Sequence, residues 1–355
     1  MLYLLLRDEL GTLFADEEFA RLYPTRGQPV EAPWRLALVT ISQFLENLSD
    51  RRAADAVRGR LDWKYALGLD LTDPGFDGSV WSEFRARRIA GSLERRRLDA
   101  VLDRCRERNW LKARGRQRTD TTHVLARVRA LQRLGCAGET LRRALNALAV
   151  VAPEWVRGST PAEWADRSGP RCDTYRVPTG ADERRRYADQ VGQDGRALLM
   201  AVFAARPPWL RSIPAVQTLR RVWVQQFLAD AGRIRWRTEE DGFPPAAAFI
   251  SSPYDTEARD AKKGTTSWVG YKVHLTETCE DEAPHLITHL VTARAPIADG
   301  EATPRVHQAL SAKDLLPGKH VVDTGYVDAE LLATSRDQYG VDLVGPTRPD
   351  YRWQA

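Results

Sequence analysis

The sequence predicts a mixed α/β (α+β) protein: a helical N-terminal domain, then an α/β core that a long helical insertion interrupts. Three observations predict it. Apolar residues up to about residue 110 recur at the helical period, β-branched runs stand at 116–124, 268–278 and 285–295, and the stretch between the first run and the others returns to helical patterns.

Residues 36–48, LALVTISQFLENL, place Leu36, Val39, Phe44 and Leu48 close to a period of 3.6. Asp50 is then set to cap a shorter helix, RRAADAVRGRL. The segment LTDPGFDGS (71–79) concentrates Asp, Pro and Gly and reads as a loop, with Ser79 placed to cap a long helix from Val80 to about Glu107. Val80, Phe84, Leu93, Leu98, Val101, Leu102 and Cys105 form its apolar stripe, which leaves Arg85, Arg88, Arg95, Arg96 and Arg106 for the outer face.

From Gly115 the texture changes. RQRTDTTHV (116–124) is rich in Thr and Val and reads as a strand with Asp120 in its middle. Helical patterns such as ETLRRALNALAVV follow, broken by Pro/Gly clusters, until WVGYKVHLTET (268–278) and HLITHLVTARA (285–295) suggest a hairpin. A helix near 303–312, a strand KHVV ending at Asp323, a helix DAELLATSRDQYG between Asp328 and Gly340, and a strand DLVG complete an α/β alternation. The predicted domains are residues 1–112, a core of 113–124 with 250–355, and an insertion at 125–249.

The chain of 355 residues, 43% hydrophobic and 28% charged, has no apolar run near the roughly 20 residues a membrane helix needs. No membrane partner is expected, and without a secretory signal at MLYLLLRDEL the expected address is the cytoplasm. Cys105, Cys136, Cys172 and Cys279 lack metal-ligand or disulfide-framework spacing, so reduced thiols are expected. The net charge of +5 hides a local excess: residues 84–118 hold thirteen Lys/Arg against four Asp/Glu. Several cations on one helical face, Arg85, Arg88, Arg95 and Arg96 among them, would supply the salt-dependent phosphate attraction on which DNA binding rests, unless they are only a solvated face.

Two aspartates stand where strands rarely carry them. Asp323 follows Val321-Val322 and would emerge at the C-terminal edge of a strand, where open α/β sheets bind ligands. Asp120 lies inside a strand, where Asp is disfavoured unless its carboxylate is used or it lies at an edge. If the two strands are neighbours, the carboxylates suit metal-assisted phosphoryl transfer with oxygen-ligated Mg2+. The alternative use of each is as a turn or cap residue. Lys272 and His274, two apart, share one strand face and would point to such a site or line an exposed face. Lys262 and Lys263, in a polar glycine-containing loop, would touch DNA phosphates or stay solvated. Trp155, Trp164, Trp209, Trp223 and Trp236 could stack on an unpaired base or pack a core.

RTDTTHV, SPYDTEARDAKKGTTSWVGYKVHLTET, HLITHLVTARAPIADGEATP and KHVVDTGYVDAELL, in this order, resemble the catalytic core of DDE transposases of bacterial insertion sequences. LRDELGTLFADEEFARLYPTRGQP and SDRRAADAVRGRLDWKYALGL are similar to the helical domain that precedes that core in one branch, the IS-four and IS-five kind, nearest to the IS-eleven-eighty-two group. The resemblance implies a ribonuclease-H-like core in which Asp120 and Asp323 are the first two catalytic, metal-binding acids. It also implies Mg2+ or Mn2+ as cofactor, double-stranded DNA at element ends and target as substrate, a homo-oligomeric synaptic complex and association with the nucleoid.

The family's third acid has no counterpart before Ala355, with Glu330 and Asp350 poor substitutes, so the sequence reads as truncated. The rival reading is a catalytically dead fragment that binds DNA. A nuclease or hydrolase of another kind is disfavoured, since no G-x-S-x-G elbow, H-E-x-x-H helix or phosphate-cradling glycine loop occurs.

Overall fold

The computed structural model describes residues 2–11, 13–23, 32–90, 94–126, 131–168, 177–230 and 232–346. The chain divides into two compact units. One holds residues 1–117, 277–289 and 313–319; the other holds 118–276, 290–312 and 320–355.

The first unit is built from α1 (Leu2–Leu10), α2 (Pro33–Leu45), α3 (Asp50–Gly59), α4 (Leu61–Leu67), α5 (Gly78–Ala90) and α6 (Glu94–Glu107). Helix α2 begins with Pro33 in its first turn, where a missing amide costs nothing. Its buried face carries Leu36 and Val39, whereas Phe44 is turned to solvent and Leu48 falls beyond the helix end. Ser49, not Asp50, caps α3 by accepting the Arg52 amide, which frees the Asp50 carboxylate for longer contacts. Likewise Asp77, not Ser79, receives the amide at the start of α5: its Oδ1 accepts from Ser79 N at 2.8 Å, and that bond holds its pKa below the usual value. Trp63, Trp81 and Phe84 form the largest fully buried side chains of this unit. Of the predicted stripe, Phe84, Leu102 and Cys105 are buried and Val80 and Val101 half-buried. The expected single helix 80–107 is helical on both sides of residues 91–93, which lie outside the described residues together with Leu93.

The second unit contains α7 (Arg133–Val151), α8 (Pro153–Ser159), α9 (Glu163–Ser168), α10 (Ala181–Ala204) and α11 (Pro214–Gln226). Helices α7, α10 and α11 share a core in which Leu141, Leu148, Leu198 and Leu219 are fully buried, each adding about 1.5–3 kcal/mol. Gly195 of α10 lets Trp223 of α11 approach and Gly192 lets Phe227 do so, and Trp223 Nε1 donates to Gly192 O at 3.0 Å. The tryptophans divide: Trp164 and Trp223 are buried, Trp155 and Trp236 half-buried, and Trp209 exposed. Core packing thus accounts for four of the five. A two-stranded antiparallel hairpin absent from the sequence reading, β2 (Phe227–Asp230) with β3 (Arg233–Trp236), follows α11.

A six-stranded sheet uses β1 (Arg114–Leu125), β4 (Arg259–Lys263), β5 (Thr266–Thr278), β6 (Ile287–Arg294), β7 (Pro317–Val322) and β8 (Asp342–Val344), in the order β4-β5-β1-β7-β8 with β6 also on β5. Lys262 and Lys263 stand on β4, not in a loop; β4 pairs antiparallel with β5, Lys263 opposite Thr266, through a turn at Gly264 with φ +60°. Gly270 of β5 faces β1 where a Cβ would lie 2.1 Å from Val124 O, so only glycine permits that approach. Helices α12 (Ala302–Ala312) and α13 (Ala329–Tyr339) complete the unit; Asp328 caps α13 by accepting the Leu331 amide, and Gly340 ends it in the left-handed conformation. No helix among the described residues is long and apolar enough to cross a membrane.

Candidate active site

Sheet order puts β1 between β5 and β7, so Asp120 and Asp323 come from neighbouring strands. Along β1 burial alternates: Gln117 and Thr119 are buried while Asp120 is exposed, as strand geometry requires. Asp120 Oδ1 accepts the Thr121 amide at 2.6 Å. Asp323, at the end of β7, is also exposed, and its Oδ1 accepts the Gly325 amide at 2.8 Å.

Tyr326 links these segments. It is fully buried, its hydroxyl lies 2.7 Å from His274 Nδ1, and it is hydrogen-bonded to the Thr121 side chain. Burial, then the negative fields of Asp299, Asp323 and more weakly Asp120, push its pKa well above the ordinary phenol value.

Asp299 is the acid that sequence reasoning missed. It opens a short 3-10 helix (Asp299–Glu301), and Lys272 of β5 donates to its Oδ1 at 2.8 Å and to Ile297 O at 3.0 Å. Both side chains of this ion pair are about 15% exposed (15% and 14%). Breaking so enclosed a pair strands a charge and costs about 3–5 kcal/mol. A Cβ at Gly325 would meet Asp299 Oδ2 and Asp323 Oδ1, each at 3.1 Å, so the glycine lets the two carboxylates close on the turn.

Lys272 and His274 therefore do share one face, but that face is interior. His274 is fully buried, which depresses its pKa, and has no surface left for a DNA phosphate. Its Nε2 is buried with no hydrogen-bond partner among the described residues.

Beneath Asp120 lies a buried polar chain, also unforeseen. Thr119 Oγ1 is 2.7 Å from both Thr276 Oγ1 and His320 Nε2, and His320 Nδ1 is 2.8 Å from His307 Nε2. It ties β1 to β5, β7 and α12 through groups that all have partners.

Among the described residues, no group of three or more His, Cys, Asp or Glu side chains is arranged to hold a metal ion. Glu330 sits in the first turn of α13, where an acid favours the helix dipole, and Asp350 lies outside the described residues.

Of the basic candidates, Lys272 and His274 belong to this site. Arg85 belongs to the first unit and is spent on an ion pair: its guanidinium makes two bonds to the Asp50 carboxylate, one of them 2.7 Å, and donates to Gln43 Oε1 at 3.2 Å. It was expected on the outer face because its partner is on α3, out of sight of a helical wheel. The side chains of Arg88, Arg95 and Arg96 lie outside the described residues. Lys262 and Lys263 are exposed on β4.

Residues 6–87 match the family model described as Transposase domain (DUF772). The match runs from within α1 into α5 and so falls wholly on the helical first unit, not on the sheet that carries the aspartates. It supports a transposase of the insertion-sequence type. No curated protein and no solved structure matches the chain.

Proposed function

We propose that the chain is a DDE transposase of an insertion sequence, with a ribonuclease-H-like core built on the six-stranded sheet. The observation that carries this reading is the neighbouring placement of Asp120 and Asp323 on β1 and β7, with both fields acting on the Tyr326 hydroxyl. The transposase-domain match supports it from a different part of the chain.

Both aspartates are exposed and present hard oxygen donors, which suit Mg2+ or Mn2+. Such ions, when bound, activate the attacking oxygen and neutralise charge on the phosphate and the leaving oxygen. The chain's own residues supply placement. Thr119, held by His320 and Thr276, pins β1 from the interior so that Asp120 projects from a fixed backbone. Tyr326 and Gly325 set the turn that presents Asp323, while Lys272 neutralises Asp299 and limits its repulsion of Asp323 across that turn. The substrate is double-stranded DNA at element ends and target, and two or more copies bridge paired ends.

The test is Mg2+-dependent cleavage of labelled duplexes tiled from the DNA flanking the chain's own gene, by the wild type, Asp120→Ala and Asp323→Ala. Cleavage that either substitution abolishes supports the reading. Duplex binding without cleavage, or cleavage indifferent to both substitutions, refutes it.

A further inference from the structure

We propose that a cleft in the helical part of the second unit, formed by the start of α7, the first turn of α10 and the end of β3, is an additional DNA-contact site that takes backbone phosphates. The inference rests on reading the chain as a DNA-processing protein, but it shares no residue with the acidic site. The cleft measures about 850 Å3 and is lined by Arg133, Arg184 and Arg185 together with Trp236, Thr179 and Thr238. No acidic side chain lines it among the described residues.

Three cations in one cleft repel one another unless an anion joins them. Arg133 is fixed in place by its neighbours. Its guanidinium lies 4.7 Å from the ring centre of Trp236 and 4.2 Å from that of Phe243, and it donates to Gln226 Oε1 and Arg237 O, both at 2.9 Å. All of these partners are neutral. Burial and the neighbouring Arg237 lower its pKa, offset only by Glu239, which does not line the cleft.

Arg184 and Arg185 have no carboxylate partner among the described residues, and the acids beside them on α10, Asp182 and Glu183, are exposed and do not line the cleft. The arginines stand at the N-terminal end of a 24-residue helix, whose dipole adds to the positive potential. Thr179 adds a hydroxyl donor, while the Thr238 hydroxyl is already donated to Asp241 Oδ2 at 2.9 Å. Planar guanidiniums with a hydroxyl and, among the described residues, no carboxylate bonded to Arg184 or Arg185 form a phosphate-recognition set. The cleft is too large for a single phosphate ion, which favours successive phosphates of a DNA strand.

The test uses the full chain and a fluorescent duplex whose binding is followed by anisotropy over a range of chloride concentrations. Each phosphate contact contributes roughly 0.9 to the slope of log K against log salt. Arg184→Gln with Arg185→Gln should therefore flatten that slope by about 2 and weaken binding at least tenfold at low salt. Arg157→Gln with Arg220→Gln, removing two exposed charges elsewhere in the same unit, should leave the slope unchanged. Matching melting curves establish that the variants are folded; Arg184→Lys with Arg185→Lys, which keeps the charge, should restore most of the slope.

Equal slopes for the wild type and the cleft variant, or equal losses in both double variants, overturn the proposal. Release of the duplex by millimolar inorganic phosphate at constant ionic strength would also overturn it, since the cleft would then prefer a free anion. A wild type that binds no duplex at any salt fails the transposase reading itself, whereas a wild type that binds with an unchanged cleft variant fails this inference alone.

Discussion

Replacing Tyr326 by Phe tests whether the turn after β7 is tied to the sheet by a single hydroxyl. The ring stays, so packing against Ala302, Val322, Val327 and Leu343 is retained. What goes is the hydrogen bond to His274 Nδ1 and the one to the Thr121 side chain. A neutral hydrogen bond is worth about 1 kcal/mol net, but leaving its partner buried and unmatched costs about 1–3 kcal/mol. His274 is fully buried and its Nε2 already has no partner among the described residues, so losing Nδ1 as well strands the whole imidazole. The stranding cost sets the scale, and the variant should lose about 2–3 kcal/mol.

For a unit of this size that corresponds to a fall of roughly 5–10 °C in Tm. Urea unfolding followed by circular dichroism, with a calorimetric scan, reads both quantities. Adding His274→Leu should recover part of the loss, because apolar groups on both sides leave nothing stranded. Burial and the surrounding carboxylates keep the phenol protonated, so the loss should not change across neutral and mildly alkaline pH. A Tyr326→Phe variant within about 0.5 kcal/mol of the wild type, the range of a neutral surface substitution, would refute the reasoning.

Two further outcomes follow from the same structure. Gly195→Ala gains about 1 kcal/mol of helix propensity yet would set a Cβ 1.9 Å from Trp223 Cζ2, so overpacking of about 1–3 kcal/mol or more should win and lower the urea midpoint; Gly158→Ala, with nothing within 4 Å, should raise it slightly, and the opposite ranking would be decisive against the packing argument. Burial lowers the pKa of His307 to about 4 and that of His320 to about 3, the latter also through His307, whereas an unfolded histidine titrates near about 6.5. The unfolded state then binds more protons, so the stability held by this pair is full above about pH 6.5 and drains as pH falls toward 4, by up to ~1.4 kcal/mol per pH unit for each histidine. A urea midpoint that stays constant over that window would show that the pair does not hold the fold.

Asp120 stands out in the sequence because a carboxylate inside a β-branched run goes against strand preference, and Asp323 because it ends an apolar run at a strand edge. The caps of α13 were legible, since Asp328 and Gly340 act within five residues of where they stand. What could not be read was anything set by a distant partner. RDAKKGTT is polar enough to pass for a loop, yet it forms β4 because β5 leaves backbone groups to pair and Gly264 can turn the chain. Arg85 was assigned outward by periodicity, although Asp50, 35 residues away, holds it. Asp299 sits in a short Pro- and Gly-bounded stretch that gives no sign of Lys272 on another strand.

The polar chain under Asp120 shows why these hidden contacts matter to the chemistry. An exposed aspartate in a strand contributes nothing to the core, so the strand must be held by its alternate residues. On β1 that falls to Thr119, whose one hydroxyl meets both Thr276 and His320 at 2.7 Å. Because successive side chains point to opposite faces, the residue that fixes the backbone and the residue that works in solvent can be immediate neighbours without competing for space. His320 and His307 complete the chain only while neutral: with one proton between them, each nitrogen in the Thr119–His320–His307 series can meet a complementary partner. A second proton would turn two donors toward each other, so the support beneath the acidic site and the stability of the unit respond to the same protonation event.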